Sequence, residues 1–131
     1  MLQLFSPTPR LLGLSLVLFG YDTPQQGSNS LDAAACADRL SKDSAQLVDV
    51  RSAAEYADGH IADALNLDWT NGQLEAAMSE LDKSKPVLLY CASDHRSAAA
   101  RKSMREQGFT DVVDLSGGIA AWREAGRPIE P

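Results

Sequence analysis

The chain has 131 residues, enough for one domain of ordinary size and too few for two. Apolar residues make up 44%, so a core can form without disulfide staples. With 12 Lys and Arg against 18 Asp and Glu, a net charge of −6, no basic cluster and only Cys36 and Cys91 as cysteines, three classes fall away: nucleic-acid binder, Cys-rich zinc module and disulfide scaffold.

Residues 1–29 read as a signal-like segment followed by a polar linker, and residues 30–131 as the folded domain. Arg10 precedes the apolar run Leu11 to Gly20, which at ten residues is too short to span a bilayer needing about 20. A basic residue before a short apolar stretch is the layout of a secretory signal. Thr23 to Ser30 is polar and carries no core residues. We expect an exported, bacterial periplasmic protein without an integral membrane domain; a mis-assigned start would leave it cytoplasmic.

From Ser30 onward, short apolar strands alternate with amphipathic helices. Leu31 to Leu40 is Ala-rich and predicted helical, with Ser30 as N-cap and Asp32 in the first turn. Leu47 to Val50 is predicted as a short buried strand. Ser52 and Glu55 have capping-box spacing and open a short helix ending near Gly59. Ala64 to Leu67 is a second strand. Leu74, Ala77, Met78 and Leu81 lie on one face of a helix that follows Asn71-Gly72. Pro86 to Tyr90 is the strongest strand, a continuous apolar run suited to burial on both faces. Ser97 to Gln107 is predicted helical, stopping at Gly108. Val112 to Leu115 is a fourth strand, Gly117-Gly118 a turn, and Ile119 to Ala125 a last helix. This alternation implies βαβ units: an α/β fold with a small, mainly parallel sheet flanked by helices on both faces.

The chemistry sits on the loop Cys91-Ala92-Ser93-Asp94-His95-Arg96, between the strongest strand and the next helix. Ligands of open α/β sheets bind at the carboxyl ends of strands. A thiol there meets the N–H groups of a tight turn and the positive end of a helix dipole, and both favour thiolate. Arg96 adds a fixed positive charge and a planar donor fork. A nucleophile beside an anion cradle suits transfer of a sulfur or phosphoryl group. The competing reading is an inert core cysteine, which the polar residues after it disfavour.

Four stretches in order resemble the rhodanese (thiosulfate sulfurtransferase) family in its single-domain form. Asp49-Val50-Arg51 with Glu55-Tyr56, Gly59-His60-Ile61 and Ala64-Leu65-Asn66 is similar to its N-terminal signature. Tyr90-Cys91 through Arg96-Ser97 resembles its active-site loop. Gly108-Phe109, Val112, Leu115, Gly117-Gly118, Trp122, Gly126 and Pro128 are similar to its C-terminal pattern. The resemblance implies that Cys91 accepts a sulfane sulfur as a persulfide and passes it to a nucleophile, while the backbone amides of Ala92 to Arg96 surround it. It implies a small anionic sulfur donor, a thiol acceptor (small or on a protein), and neither cofactor nor metal. Phosphatase domains of related topology have a loop one residue longer; four residues between Cys91 and Arg96 is the sulfur-handling length. The rival readings are a non-catalytic binding module and a phosphatase or arsenate reductase on the same fold.

Two departures stand out. The family usually has Gly where Asp63 and Asp94 stand, and Asp is among the few residues that tolerate the positive φ such a Gly supplies. A carboxylate at Asp94 is also expected beside Cys91, opposing its thiolate and repelling anionic thiosulfate, with His95 and Arg96 offsetting part of it. Asp49 and Arg51 are expected to form an ion pair that fixes loops, and His60 to serve as a structural turn residue rather than a proton shuttle. Ser97 belongs with this structural support. Cys36 is expected in the core, Trp69 and Trp122 in packing roles, and Arg101 and Lys102 in solvent.

Overall fold

The computed structural model describes residues 29–131; the signal-like segment and linker read over 1–29 lie, Asn29 apart, outside the described residues. In chain order the elements are β1 (Ser30–Leu31), α1 (Ala33–Lys42), β2 (Gln46–Asp49), α2 (Ala53–Ala57), β3 (Leu65–Asn66) and α3 (Gln73–Ala77), the last extended by a 3-10 turn over Met78–Glu80. There follow β4 (Val87–Tyr90), α4 (His95–Glu106), β5 (Val112–Leu115) and α5 (Gly118–Glu124). The five strands form one sheet in the order β1-β5-β4-β2-β3, and every pairing between them is parallel. No helix among the described residues is long and apolar enough to cross a membrane.

Burial on both faces explains why β4 reads as an unbroken apolar run. Its side chains alternate across the sheet. Leu89 and Cys91 join Val48, Val112, Leu74, Ala100 and Met104 under α3 and α4. Leu88 and Tyr90 join Leu115, Cys36, Ile119 and Trp122 under α1 and α5. The helices therefore cover both faces, as expected.

The start of the domain differs from its expected form. Ser30 and Leu31 are not the entry of a helix but a fifth strand, paired with Asp114 and Leu115 of β5. The cap of α1 is Asp32, whose side chain accepts from the Ala35 N–H. Local propensity favoured helix here, but a ladder to a strand more than 80 residues away prevails. The other boundaries fall within two residues of expectation. Ser52 and Glu55 do form a reciprocal capping box.

The topology also places the site. From β2 the chain steps outward to β3, whereas from β4 it steps the other way to β5. The crevice at such a switch point opens outside the carboxyl ends of the two strands, here those of β2 and β4.

Candidate active site

Beyond β2, the crevice wall is built from a closed set of polar groups. Asp49 is fully buried and accepts from the Arg51 guanidinium at 2.7 Å and 3.0 Å. The same Arg51 Nη2 that bonds Asp49 also donates to the Gly59 carbonyl at 2.8 Å, and the guanidinium lies over the Tyr90 ring. Asn66 donates to the carbonyls of both Asp49 and Arg51, tying β3 to this end of β2. The Asp49–Arg51 pair thus ties the end of β2 to the Gly59 turn. The His60 ring stacks on Tyr56 at 3.8 Å, its Nδ1 lies 3.1 Å from the Tyr56 carbonyl, and its backbone bridges to Glu130. That is the geometry of a turn residue. Asp63 adopts a φ of 66°, the left-handed conformation expected where Gly is usual.

Beyond β4 the chain turns through Cys91 to Asp94 and enters α4 at His95. Cys91 is buried, and its thiol donates to Ser97 Oγ at 3.4 Å, one turn into α4. Ser93, Asp94 and His95 are exposed, while Ala92 and Arg96 are half-buried. The first N–H groups of a helix have no intrahelical acceptor. In α4 no side chain caps them, because the N-cap residue Asp94 sends its carboxylate elsewhere: Oδ1 accepts from the Gly117 N–H at 2.7 Å.

Two expectations for this loop are corrected here. Asp94 does not use positive φ; its φ is −143°. Its side chain, bonded to the start of α5, holds the turn instead of backbone strain. Arg96 is not a free donor fork for an anion. Its two terminal nitrogens donate to the two carboxylate oxygens of Glu55, at 2.6 Å and 2.9 Å. Glu55 meanwhile completes the capping box of α2. The Arg96 guanidinium, followed by the Ser52 N–H, pulls the Glu55 carboxyl down to about 2 against the opposing effect of burial.

Some participating residues carried a weaker sequence signal. Gly118 reads as a turn within the C-terminal pattern, and a Cβ there would lie 2.5 Å from the Cys91 carbonyl and 2.6 Å from that of Ser93. The loop rests directly on this glycine, and Ile119 and Ala120 N–H groups bond the carbonyls of Cys91 and Ala92. Arg101, expected in solvent, turns inward to Asp114, a buried acid in the middle of β5. Both had a signal. An Asp inside an apolar strand needs a cation, and Arg101 shares a helix face with Ser97, Ala100 and Met104. Lys102 is in solvent, as expected.

Cys36 is the second buried cysteine. It is a core residue under α1, and burial first, then the Asp114 charge, pushes its thiol up to about 12. Beside the loop, between α2 and α5, lies a cavity of about 320 Å³, with Ala92 on one wall and Arg51, Glu55, Asp58 and Arg123 around it. No group of three or more acidic, His or Cys side chains with metal-binding geometry occurs among the described residues.

A crossed α/β layout of this topology, with a cysteine loop at the switch point, is that of a rhodanese-like domain. The family model for the rhodanese-like domain matches residues 32–125. The chain is 39% identical over 102 residues to a sulfurtransferase of Allochromatium vinosum, covering 77% of this chain and 94% of that protein. It is 38% identical over 82 residues to the thiosulfate sulfurtransferase GlpE of Shewanella oneidensis, covering 63% and 79%. The solution structure of the rhodanese-like domain of the Anabaena Alr3790 protein superposes with a TM-score of 0.70 at 34% identity, covering 78% of each chain. The chain belongs to the rhodanese-like family.

Proposed function

We propose that the protein is a sulfurtransferase in which Cys91 carries the sulfur. In the loading step the Cys91 thiolate attacks the sulfane sulfur of a donor such as thiosulfate. The donor's S–S bond breaks, sulfite leaves with the electron pair, and Cys91 becomes a persulfide. In discharge an acceptor thiolate attacks the outer sulfur, a new S–S bond forms on the acceptor, and Cys91 is released as thiolate. The observation that carries this reading is Cys91 at the carboxyl end of β4, under a helix start that no side chain caps. The unspent N–H groups of the loop from Ala92 to Arg96 suit a sulfur that bears negative charge in both steps. The cavity beside Ala92 offers an acceptor room to approach.

The test is incubation of the purified protein with thiosulfate, followed by mass spectrometry. A gain of one sulfur on Cys91, absent in Cys91→Ser, supports the reading. No adduct with thiosulfate or with a polysulfide would favour a binding module on the same fold. For location, the support is the Arg10 and Leu11 to Gly20 pattern, and we propose export to the periplasm. A fusion of residues 1–30 to an export reporter that stayed in the cytoplasm would remove that proposal.

A further inference from the structure

Among the described residues the side chain bonded to the Cys91 sulfur is Ser97, and Ser97 has one hydroxyl proton to give. Two acceptors compete for it, and the sulfur becomes a third only when it ionises. The Asp114 carboxylate lies at 3.2 Å through Oδ2 and the Asp94 carbonyl at 3.2 Å, while the sulfur lies at 3.4 Å. The Asp94 carbonyl already accepts the Ala98 N–H. Asp114 is buried, and its other oxygen accepts from Arg101 at 2.6 Å and from Ser30 Oγ at 2.6 Å. Arg101 in turn donates to the Asn29 carbonyl at 3.1 Å, so the chain of bonds runs from the first described strand to the thiol.

From this arrangement we propose that Asp114 and Arg101 are positioning residues that set the protonation state of Cys91 through Ser97. While Ser97 donates to Asp114, it offers the sulfur only lone pairs, which accept an S–H and repel a thiolate. When Cys91 ionises, the hydroxyl must turn to donate to the sulfur and leave Asp114 to Arg101 and Ser30. A carboxylate is a stronger acceptor than a carbonyl, so Asp114 is the main rival of the thiolate for that proton. Arg101 moderates the rivalry by drawing charge towards Oδ1. The inference rests on Cys91 being the reactive thiol of the proposed function.

The other charges facing Cys91 come from every element around it. Arg96 of α4 couples to it directly and is itself paired with Glu55 of α2, with Asp68 nearby before α3. Asp94 of the loop is turned to Gly117 of the β5–α5 connection. These stay fixed in the variants below, so the shifts report on the Ser97 relay.

The test is the pH profile of Cys91 alkylation by iodoacetamide, a neutral probe that needs no sulfur donor, read by peptide mass spectrometry. In Asp114→Asn, Arg101 keeps the amide oxygen on its side and turns the amide nitrogen to Ser97, which frees the hydroxyl for the sulfur. The midpoint should fall by about one pH unit, or about tenfold more thiolate below it. Arg101→Gln should move it the other way, upward, because an unneutralised Asp114 holds the proton harder. In a Ser97→Ala background, Asp114→Asn should shift the midpoint by less than half as much. Equal shifts with and without Ser97 would reduce Asp114 to a distant charge and overturn the relay. So would an unmoved midpoint in either single variant, including Arg101→Gln alone should Asp114→Asn not fold. Failure of persulfide formation in an enzyme with these profiles would sink the sulfurtransferase reading and leave the relay standing.

Discussion

β2 and β4 lie side by side, with Asp49 opposite Tyr90, yet the polar groups beyond their ends are used in opposite ways. After β2 each one is spent: Asp49 on Arg51, Arg51 on Gly59, and the carbonyls of Asp49 and Arg51 on Asn66. After β4 the accounts stay open. The N-cap carboxylate serves another helix, the α4 start has no side-chain cap, and one serine hydroxyl is contested by two acceptors while it accepts from the thiol. A strand end becomes a brace when its donors and acceptors match internally, and a site when donors are left over.

The largest effect that would break this contrast is on the braced side. Asp49→Ala leaves the Arg51 guanidinium buried without its partner, and the loss should be about 3–5 kcal/mol. Urea unfolding measures it. A loss below about 1 kcal/mol would mean that the buried pair is not what holds this wall. On the open side, Gly118→Ala forces a Cβ against the Cys91 carbonyl at a φ of 59°. Left-handed backbone and overpacking together should cost about 2–4 kcal/mol, and the displaced loop should abolish persulfide formation in the fraction that folds. Full persulfide loading by this variant would show that the loop does not depend on its seat against α5.

The Arg96–Glu55 bridge joins the two sides, and pH sharpens its contribution. Glu55 is held at about 2 in the folded protein against its ordinary 4.5. A depressed carboxyl contributes stability that is fully present above the unfolded value and is lost as pH falls through the folded one. With the Glu55 side chain 36% exposed, its share after screening is about 1 kcal/mol. Glu55→Gln keeps an acceptor for the capping box but loses the charge. It should therefore be less stable than wild type at pH 7 by that amount, with the gap closing between pH 4.5 and pH 2. A gap that persisted at pH 2 would mean that the substitution acts through packing.

Much of this was legible in the chain. The strands β2, β4 and β5 announce themselves as apolar runs, the capping box by its spacing, and the site by a cysteine following the strand buried on both faces. Legibility failed where a residue's role depends on a distant partner. Ser30 and Leu31 become strand only because Asp114 and Leu115 lie beside them. Glu55 reads as a helix cap, and nothing local says that Arg96, 41 positions on, will also claim it. Arg101 looks like one more cation on a polar helix until the lone acid of β5 is set against its face.

Asp94 is the smallest effect and the one on which sequence and structure disagree most directly. Read as a replaced glycine with a free carboxylate beside the thiol, it predicts faster loading from thiosulfate once the charge is removed. The carboxylate is instead anchored on the Gly117 N–H at 2.7 Å, where the hydrogen bond meets part of its charge. Two variants separate the roles. Asp94→Asn keeps an acceptor for Gly117 and removes the charge; Asp94→Gly removes both. The hydrogen bond is worth about 1 kcal/mol, so Gly should lose that much stability and Asn less than half of it. Thiosulfate loading by Asn should rise by less than about twofold at low salt, and the gain should vanish at high salt, because the exposed charge is screened within about 10 Å. Loading by Gly should fall, since the loop loses its tie to α5. A severalfold gain in Asn confined to low ionic strength would show that the charge does reach the sulfur. Asp94 would then be a brake on anionic donors as well as a tether.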